Sequence, residues 1–177
     1  MRMELLTEKL RLRAFLPADH LAQIEMNLDS EVMRWLGGPQ SADKTHAEME
    51  YNDRTLAEFG YGKVAIERRS DGAFLGSCGL SVENWYPDDL EIGWRLLPIH
   101  WGRGYATEAA QAWVSHGFST LGAARLISIT DVPNQRSIAV MQRLGMKLVH
   151  FAELEIDGDR FETVIYAIDV KVFGQPA

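Results

Sequence analysis

Pro98-Ile99-His100-Trp101-Gly102-Arg103-Gly104-Tyr105-Ala106-Thr107-Glu108-Ala109 is the stretch on which the fold turns. A strand pattern runs into it: over residues 88–97, Leu90, Ile92, Trp94 and Leu96 alternate with Glu91, Gly93 and Arg95. A helix pattern leaves it. Ala106, Ala109, Ala110, Trp113, Val114, Phe118 and Leu121 keep the three-four spacing of a helix buried along one face. Between the two lie Gly102 and Gly104, which let a backbone approach a ligand with no Cβ in the way. The start of a helix supplies unpaired N–H groups and a partial positive charge, a seat for phosphate. Arg103 and Thr107 add side-chain donors. A plain tight loop capping a buried helix would show the same residues. The third glycine of a dinucleotide fingerprint would fall at Thr107 and is missing, and no Gly-Lys-Ser/Thr follows, so neither a dinucleotide turn nor a Walker A loop fits.

Working outward, the chain reads as one α/β (α+β) domain over residues 1–177 with a mixed sheet. A first strand is expected at 9–15, then a helix opened by Pro17 and Asp19 with Leu21, Ile24 and Leu28 on one face. A helical turn at 32–36 stops at Gly37-Gly38-Pro39, and a polar helix follows over 43–59 with Ser41 as its cap. Strands at 63–69 and 74–82 flank Asp71-Gly72, a hairpin-turn pair. Beyond the central helix come a strand at 125–131, a short helix at 134–144 ended by Gly145, and two strands at 147–154 and 161–170 around Asp157-Gly158. Asp88 and Asp89, at the start of the 88–97 strand pattern, are expected where it leaves the preceding turn.

The chain has 177 residues, 46% hydrophobic and 24% charged, which supports a real core and argues against disorder. No apolar run approaches the roughly 20 residues of a membrane helix, and the N-terminus lacks the apolar segment of a secretory signal. The lone cysteine, Cys78, fits a reducing, cytoplasmic setting. The histidines show no metal-ligand spacing with acids or cysteine. The net charge of −7 argues against a nucleic-acid partner. That charge is uneven. Residues 91–150 carry 3 acids and 6 bases, against 16 and 10 in residues 1–90 and 6 and 2 in residues 151–177. The positive segment coincides with the candidate anion seat.

A second constellation is Asn134-Gln135-Arg136-Ser137, opening a helix that ends in Arg143-Leu144-Gly145-Met146. Asn134 is a good N-cap in its own right. Taken together, Trp101-Gly102-Arg103-Gly104-Tyr105-Ala106, Glu91-Ile92-Gly93-Trp94-Arg95-Leu96, Asn134-x-x-Ser137 and Leu144-Gly145-Met146 resemble the GNAT superfamily of acyl-CoA N-acetyltransferases, closest to its RimJ/RimL-like branch. Trp101 stands where the family's pyrophosphate motif usually has Gln or Arg. The opening Leu5-Thr7-Glu8-Leu10-Leu12-Arg13 is similar to the branch's first strand.

The resemblance implies a mostly antiparallel sheet of about seven strands flanked by helices, with the fourth and fifth strands splayed. The pantetheine arm of acetyl-CoA would fill that gap beside Leu96 and Leu97, a sheet-edge mode of recognition. The pyrophosphate would lie on Trp101, Gly102, Arg103, Gly104, Tyr105, Ala106 and Thr107, with Asn134 and Ser137 near the cofactor arm; no metal is implied. The implied reaction is direct attack of a primary amine on the thioester, the amine being a protein N-terminus such as that of a ribosomal protein, or a small molecule. A protonated amine has no lone pair, so a base or a water chain must take a proton. Glu91 is the candidate for the base or for holding the relay water; a solvated strand residue, or one that merely holds an ammonium, would also fit. The oxyanion would be met by backbone amides near Ile92 to Trp94. No tyrosine lies between Asn134 and Gly145 to protonate the departing thiolate, which leaves Ser137 either as a hydrogen-bond donor to the sulfur or as part of the helix start. Nine acids of the early region, from Asp19 to Glu58, would attract a cationic acceptor or simply face water. Trp35, Trp85 and Tyr86 are candidates to line the acceptor cleft, though aromatics more often fill core. A homodimer through the final strands is the oligomer the family suggests. A non-catalytic acyl-CoA-binding module is the alternative function.

Overall fold

The computed structural model describes residues 3–156, 158–171 and 173. Strands β1 (Glu4–Leu6), β2 (Leu10–Arg13), β3 (Lys63–Arg68), β4 (Phe74–Glu83), β5 (Tyr86–Leu96), β6 (Arg125–Asp131), β7 (Lys147–Ile156) and β8 (Asp159–Asp169) form one sheet in the order β1-β2-β3-β4-β5-β6-β8-β7. Every neighbouring pair is antiparallel except β5 and β6. The helices are α1 (His20–Leu28), α2 (Ala42–Phe59), α3 (Tyr105–Ser119) and α4 (Gln135–Arg143). The mixed, mostly antiparallel sheet matches the expectation, but it has eight strands rather than seven. The extra strand arises because Thr7 folds the opening into a hairpin. Its N–H and hydroxyl both meet Leu10, while Glu108 of α3 accepts from the Thr7 hydroxyl and the Lys9 N–H.

The core lies between α3 and the sheet. Trp113, Ala109, Ala110 and Val114 pack on Leu10, Leu12, Val64, Ile66, Leu80, Ile92 and Leu126. Cys78 is buried in this core, and burial pushes its thiol far up, so it stays a small packed side chain.

Three local expectations need correction. Asp88 and Asp89 lie inside β5, not in a turn before it, because the β4–β5 hairpin closes earlier, at Glu83 and Tyr86. Residues 32–36 form hydrogen-bonded turns on Met33 rather than a helix. On α1 the buried face is Gln23, Met26 and Asn27, while Leu21 and Leu28 are exposed. The cause is Arg95, which rises from β5 and donates to Asn27 Oδ1 at 2.5 Å, so a polar stripe faces the sheet there. Asp157 of the last expected turn lies outside the described residues; Gly158, at φ 90°, joins β7 to β8.

Candidate active site

The parallel pairing of β5 with β6 is confined to Leu90–Leu126 and Glu91–Ile127. Beyond it β5 continues to Leu96 and β6 to Asp131 with no ladder between them, so the strands part. The N–H of Leu97 bonds to Leu75 of β4, which fixes the parity of the strand and turns the main-chain groups of Ile92, Trp94 and Leu96 toward the gap. Two of these are already used: the Ile92 carbonyl accepts from the Ser128 hydroxyl at 2.9 Å, and the Leu96 carbonyl from the Trp101 indole at 2.8 Å. Leu97 has both main-chain groups partnered, its carbonyl by His100, leaving only its side chain for ligand contact.

At the open end of the gap the chain makes a helical turn, Pro98–His100, and then the glycine loop. Gly102 and Gly104 sit at φ 72° and 82°, and a Cβ at either would meet nothing within 4 Å. The space above the loop is therefore empty, and the left-handed backbone excludes other residues without strain. Gly104 caps α3 with no side-chain bond. Among the described residues, no acceptor takes the N–H groups of Gly102 through Thr107. They remain as a nest of donors at the positive end of a 15-residue helix. Basic side chains lie near it. Arg103 is exposed, Arg136 of α4 stacks on Trp101 with its guanidinium 4.4 Å from the ring, and Lys9, Arg68 and Arg69 line a depression beside Tyr105. Arg68 is paired with Asp71, Arg136 with Glu31, and Glu8 shares the depression. Burial, then Arg68 and Arg103, hold His100 below its usual range. The basic residues from the β1–β2 and β3–β4 turns were not visible as part of this seat in the sequence, because they lie in the net-acidic first half of the chain.

At the paired end of the gap stands Glu91. Its Oε1 accepts from the Ile129 N–H at 3.3 Å, and its Oε2 lies 3.4 Å from the Ser81 hydroxyl. Lys63 of β3 passes over Gly93 on the side of this carboxylate. A Cβ on Gly93 would lie 3.3 Å from Lys63 Cε and 3.9 Å from Glu91 Oε2, so the bare glycine makes the passage. Burial pushes the Glu91 carboxyl up to about 7; the Lys63 ammonium and the Ile129 N–H oppose the rise, and Glu83 adds to it. Lys63, Ser81 and Glu83 were missed in the sequence, since only the strand register brings them to Glu91.

The second constellation lies on the β6 side. Asn134 spends its side chain on structure: its amide donates to Thr130 Oγ1 at 2.8 Å and its Oδ1 accepts the Ser137 N–H at 3.3 Å. It is the N-cap of α4. The Ser137 hydroxyl is half-buried and has no partner among the described residues.

On the face shared with Glu91, α1 and α2 cover the sheet. Arg95 is held by Asn27 and by Glu48 at 3.6 Å. The supposed acidic wall is partly spent there and elsewhere. Asp19 is buried against Arg13 at 2.6 Å, Asp29 caps the 31–32 turn, and Glu31 pairs with Arg136. Of the aromatic candidates, Tyr86 bonds His150 at 2.9 Å, Trp85 is exposed, and Trp35 carries Arg34 over its ring.

A gap between parallel strands, with free helix-start amides at one end and a carboxylate at the other, matches the splayed architecture expected above. Residues 9–147 match the family model of the acetyltransferase (GNAT) domain. The chain belongs to the GNAT acetyltransferase family. It is thereby an acyl-CoA-dependent N-acetyltransferase. This GNAT protein is 31% identical to YkkB of Bacillus subtilis over 147 residues, 81% of this chain and 84% of that one. It is 42% identical to the FsC-acetyl coenzyme A-N(2)-transacetylase of Aspergillus fumigatus over 131 residues, 70% of this chain and 56% of that protein. Its fold is that of RimL, the ribosomal L7/L12 alpha-N-protein acetyltransferase, solved in complex with coenzyme A. The TM-score is 0.78 at 20% identity, covering 95% of this chain and 98% of RimL. No helix among the described residues is long and apolar enough to cross a membrane.

Proposed function

We propose that this GNAT protein, acting as one domain over residues 1–177 in the cytoplasm, moves acetyl from acetyl-CoA to a primary amine by direct attack in a ternary complex. Acetyl-CoA supplies the activated thioester. The observation that carries the reading is Glu91: a carboxylate whose burial raises it to about 7, placed where β5 and β6 part. A base near neutrality is half ionised at working pH and can accept the amine's proton. Glu91 is the base. The amides of Gly102 to Thr107 hold the pyrophosphate, with Arg103 beside them. Leu96, Leu97 and Trp101 wall the pantetheine path, and Trp94 offers its amide to the oxyanion. Ser137, with its free hydroxyl, donates a hydrogen bond to the departing sulfur, and Asn134 positions it through the helix cap.

The acceptor is a peptide N-terminus or a small amine. RimL is named for acetylating a ribosomal protein and the Aspergillus relative for a transfer to FsC. Arg95, Asn27 and Glu48 form the polar floor over which either would lie. A homodimer is proposed through edge strand β7, where Leu148, Val149 and Phe151 are exposed. The test is acetyl transfer, followed by mass spectrometry, to a panel of N-terminal peptides and small amines. Modification of one class with release of CoA is expected. Tight CoA binding with no modified amine would instead leave a non-catalytic acyl-CoA-binding module.

A further inference from the structure

The Glu91 carboxylate is not an isolated group. Ser81 stands opposite it in the β4–β5 ladder. The Ser81 hydroxyl oxygen lies 3.4 Å from Glu91 Oε2 and 3.0 Å from Glu83 Oε1. A hydroxyl carries one proton and can also accept. It cannot donate to two carboxylates at once. With one carboxyl protonated, however, it accepts from that one and donates to the other. Glu83 also lies within direct hydrogen-bonding reach of Glu91, so the three groups hold a single extra proton either on Glu91 or on Glu83, with Ser81 bridging the two. All three side chains are half-buried, and Glu83 sits at the hairpin tip beside exposed Val82, Asn84 and Trp85. Lys63 faces Glu91 from β3, Glu83 and Ser81 face it from β4, and β6 offers the Ile129 N–H.

We infer that Ser81 and Glu83 form the exit path by which a proton taken up at Glu91 leaves for solvent. The inference rests on the reading of Glu91 as the base. In the step, the proton on Glu91 Oε2 passes to Ser81 Oγ while the hydroxyl proton of Ser81 passes to Glu83 Oε1. Glu83 then releases it to water, and rotation of the hydroxyl restores the starting arrangement. No electron pair changes owner beyond the O–H bonds made and broken. Lys63 favours the outcome, because its charge stabilises Glu91 in the ionised form needed for the next turnover. Ser81 and Glu83 are thus positioning and relay residues that act through Glu91.

The experiment uses the full chain with acetyl-CoA and the best amine of the panel. Ser81→Ala and Glu83→Gln are each expected to lower kcat about tenfold, less than the ~10²–10⁴-fold that a general base contributes. KM for both substrates stays unchanged, and the double variant is no slower than the slower single one. Ser81→Thr, which keeps the hydroxyl, restores the rate. A diffusible tertiary base, 1,2-dimethylimidazole, restores turnover in Ser81→Ala and Glu83→Gln. Wild-type kcat in both variants, or a loss that neither the base nor threonine relieves, overturns the relay. Glu83 lies at the hairpin tip, so its variant keeps the test valid if Ser81→Ala melts early. A Glu91→Gln enzyme with wild-type rate would instead refute the base reading itself; a crippled Glu91→Gln beside intact Ser81→Ala and Glu83→Gln refutes the relay alone.

Discussion

The two ends of the β5–β6 gap are built from different materials. At the open end, donors come from the backbone: the free N–H groups of Gly102 to Thr107, displayed by two left-handed glycines and one helix start. At the paired end, side chains from three strands meet, Lys63 from β3, Ser81 and Glu83 from β4, and Glu91 from β5. A backbone seat binds any molecule with the right phosphate geometry and has no proton to give or take. A side-chain cluster can titrate, but only if the sheet register holds. On the proposed reading the difference separates binding from chemistry within one cleft, and mutations should separate them too.

The largest expected effect is on the side-chain end. Glu91→Gln should lower kcat by about 10²–10⁴-fold while calorimetry finds CoA affinity within twofold of wild type, on the order of 0.4 kcal/mol. Loss of CoA binding in that variant would merge the two ends into one. The converse substitution is Gly104→Val. A β-branched residue in the left-handed region costs about 1–2 kcal/mol, and its side chain enters the empty seat. KM for acetyl-CoA should rise roughly tenfold or more, equivalent to at least about 1.4 kcal/mol, with kcat at saturation largely kept. A kcat collapse at saturating acetyl-CoA would break the division.

A smaller effect sharpens the account of Glu91. Its carboxyl is raised in the folded protein, so the native state binds the proton more tightly than the unfolded chain does. Stability from this group is present at low pH and is lost as pH rises through about 7. Glu91→Gln, which cannot ionise, should therefore melt higher than wild type at pH 8, by about 2–4 °C per kcal/mol relieved. The gain should shrink toward pH 5. An equal shift at both pH values would mean that ionisation is not the cause. The smallest effect belongs to Arg136→Ala, which removes a cation–π contact on Trp101 worth about 0.5–1 kcal/mol. A two- to fivefold rise in KM for acetyl-CoA is expected, read from initial rates at low ionic strength.

The same contrast explains what the sequence disclosed. The proposed backbone seat is local: strand, Gly102-Arg103-Gly104 and helix are contiguous, so spacing marked it as a candidate, and only the family resemblance set it apart from a plain capping loop. The α3 core face, the β3–β4 turn and the Asn134 cap are local for the same reason. Glu91 was reachable as a candidate through the resemblance, with alternation along β5 placing it on the face opposite Ile92 and Trp94. Its partners were not, since Lys63, Ser81 and Ile129 approach only through strand pairing, which periodicity does not encode. The burial of Gln23 and Asn27 on α1 was hidden likewise. Hydrophobic spacing favoured Leu21 and Leu28, and only Arg95, distant in sequence, makes a polar stripe the inward face. The eighth strand was missed because a three-residue edge strand, Glu4–Leu6, shows too little alternation to declare itself.

The account stands or falls on Glu91 as a base poised by burial. The most direct measurement is the pH dependence of kcat/KM for the amine, with acetyl-CoA saturating, in wild type and Glu91→Gln. The wild-type profile should carry an ionisation near pH 7 below which the rate falls tenfold per unit, and Glu91→Gln should lack that limb and run slow throughout. A limb near pH 7 that survives unchanged in Glu91→Gln would contradict the assignment.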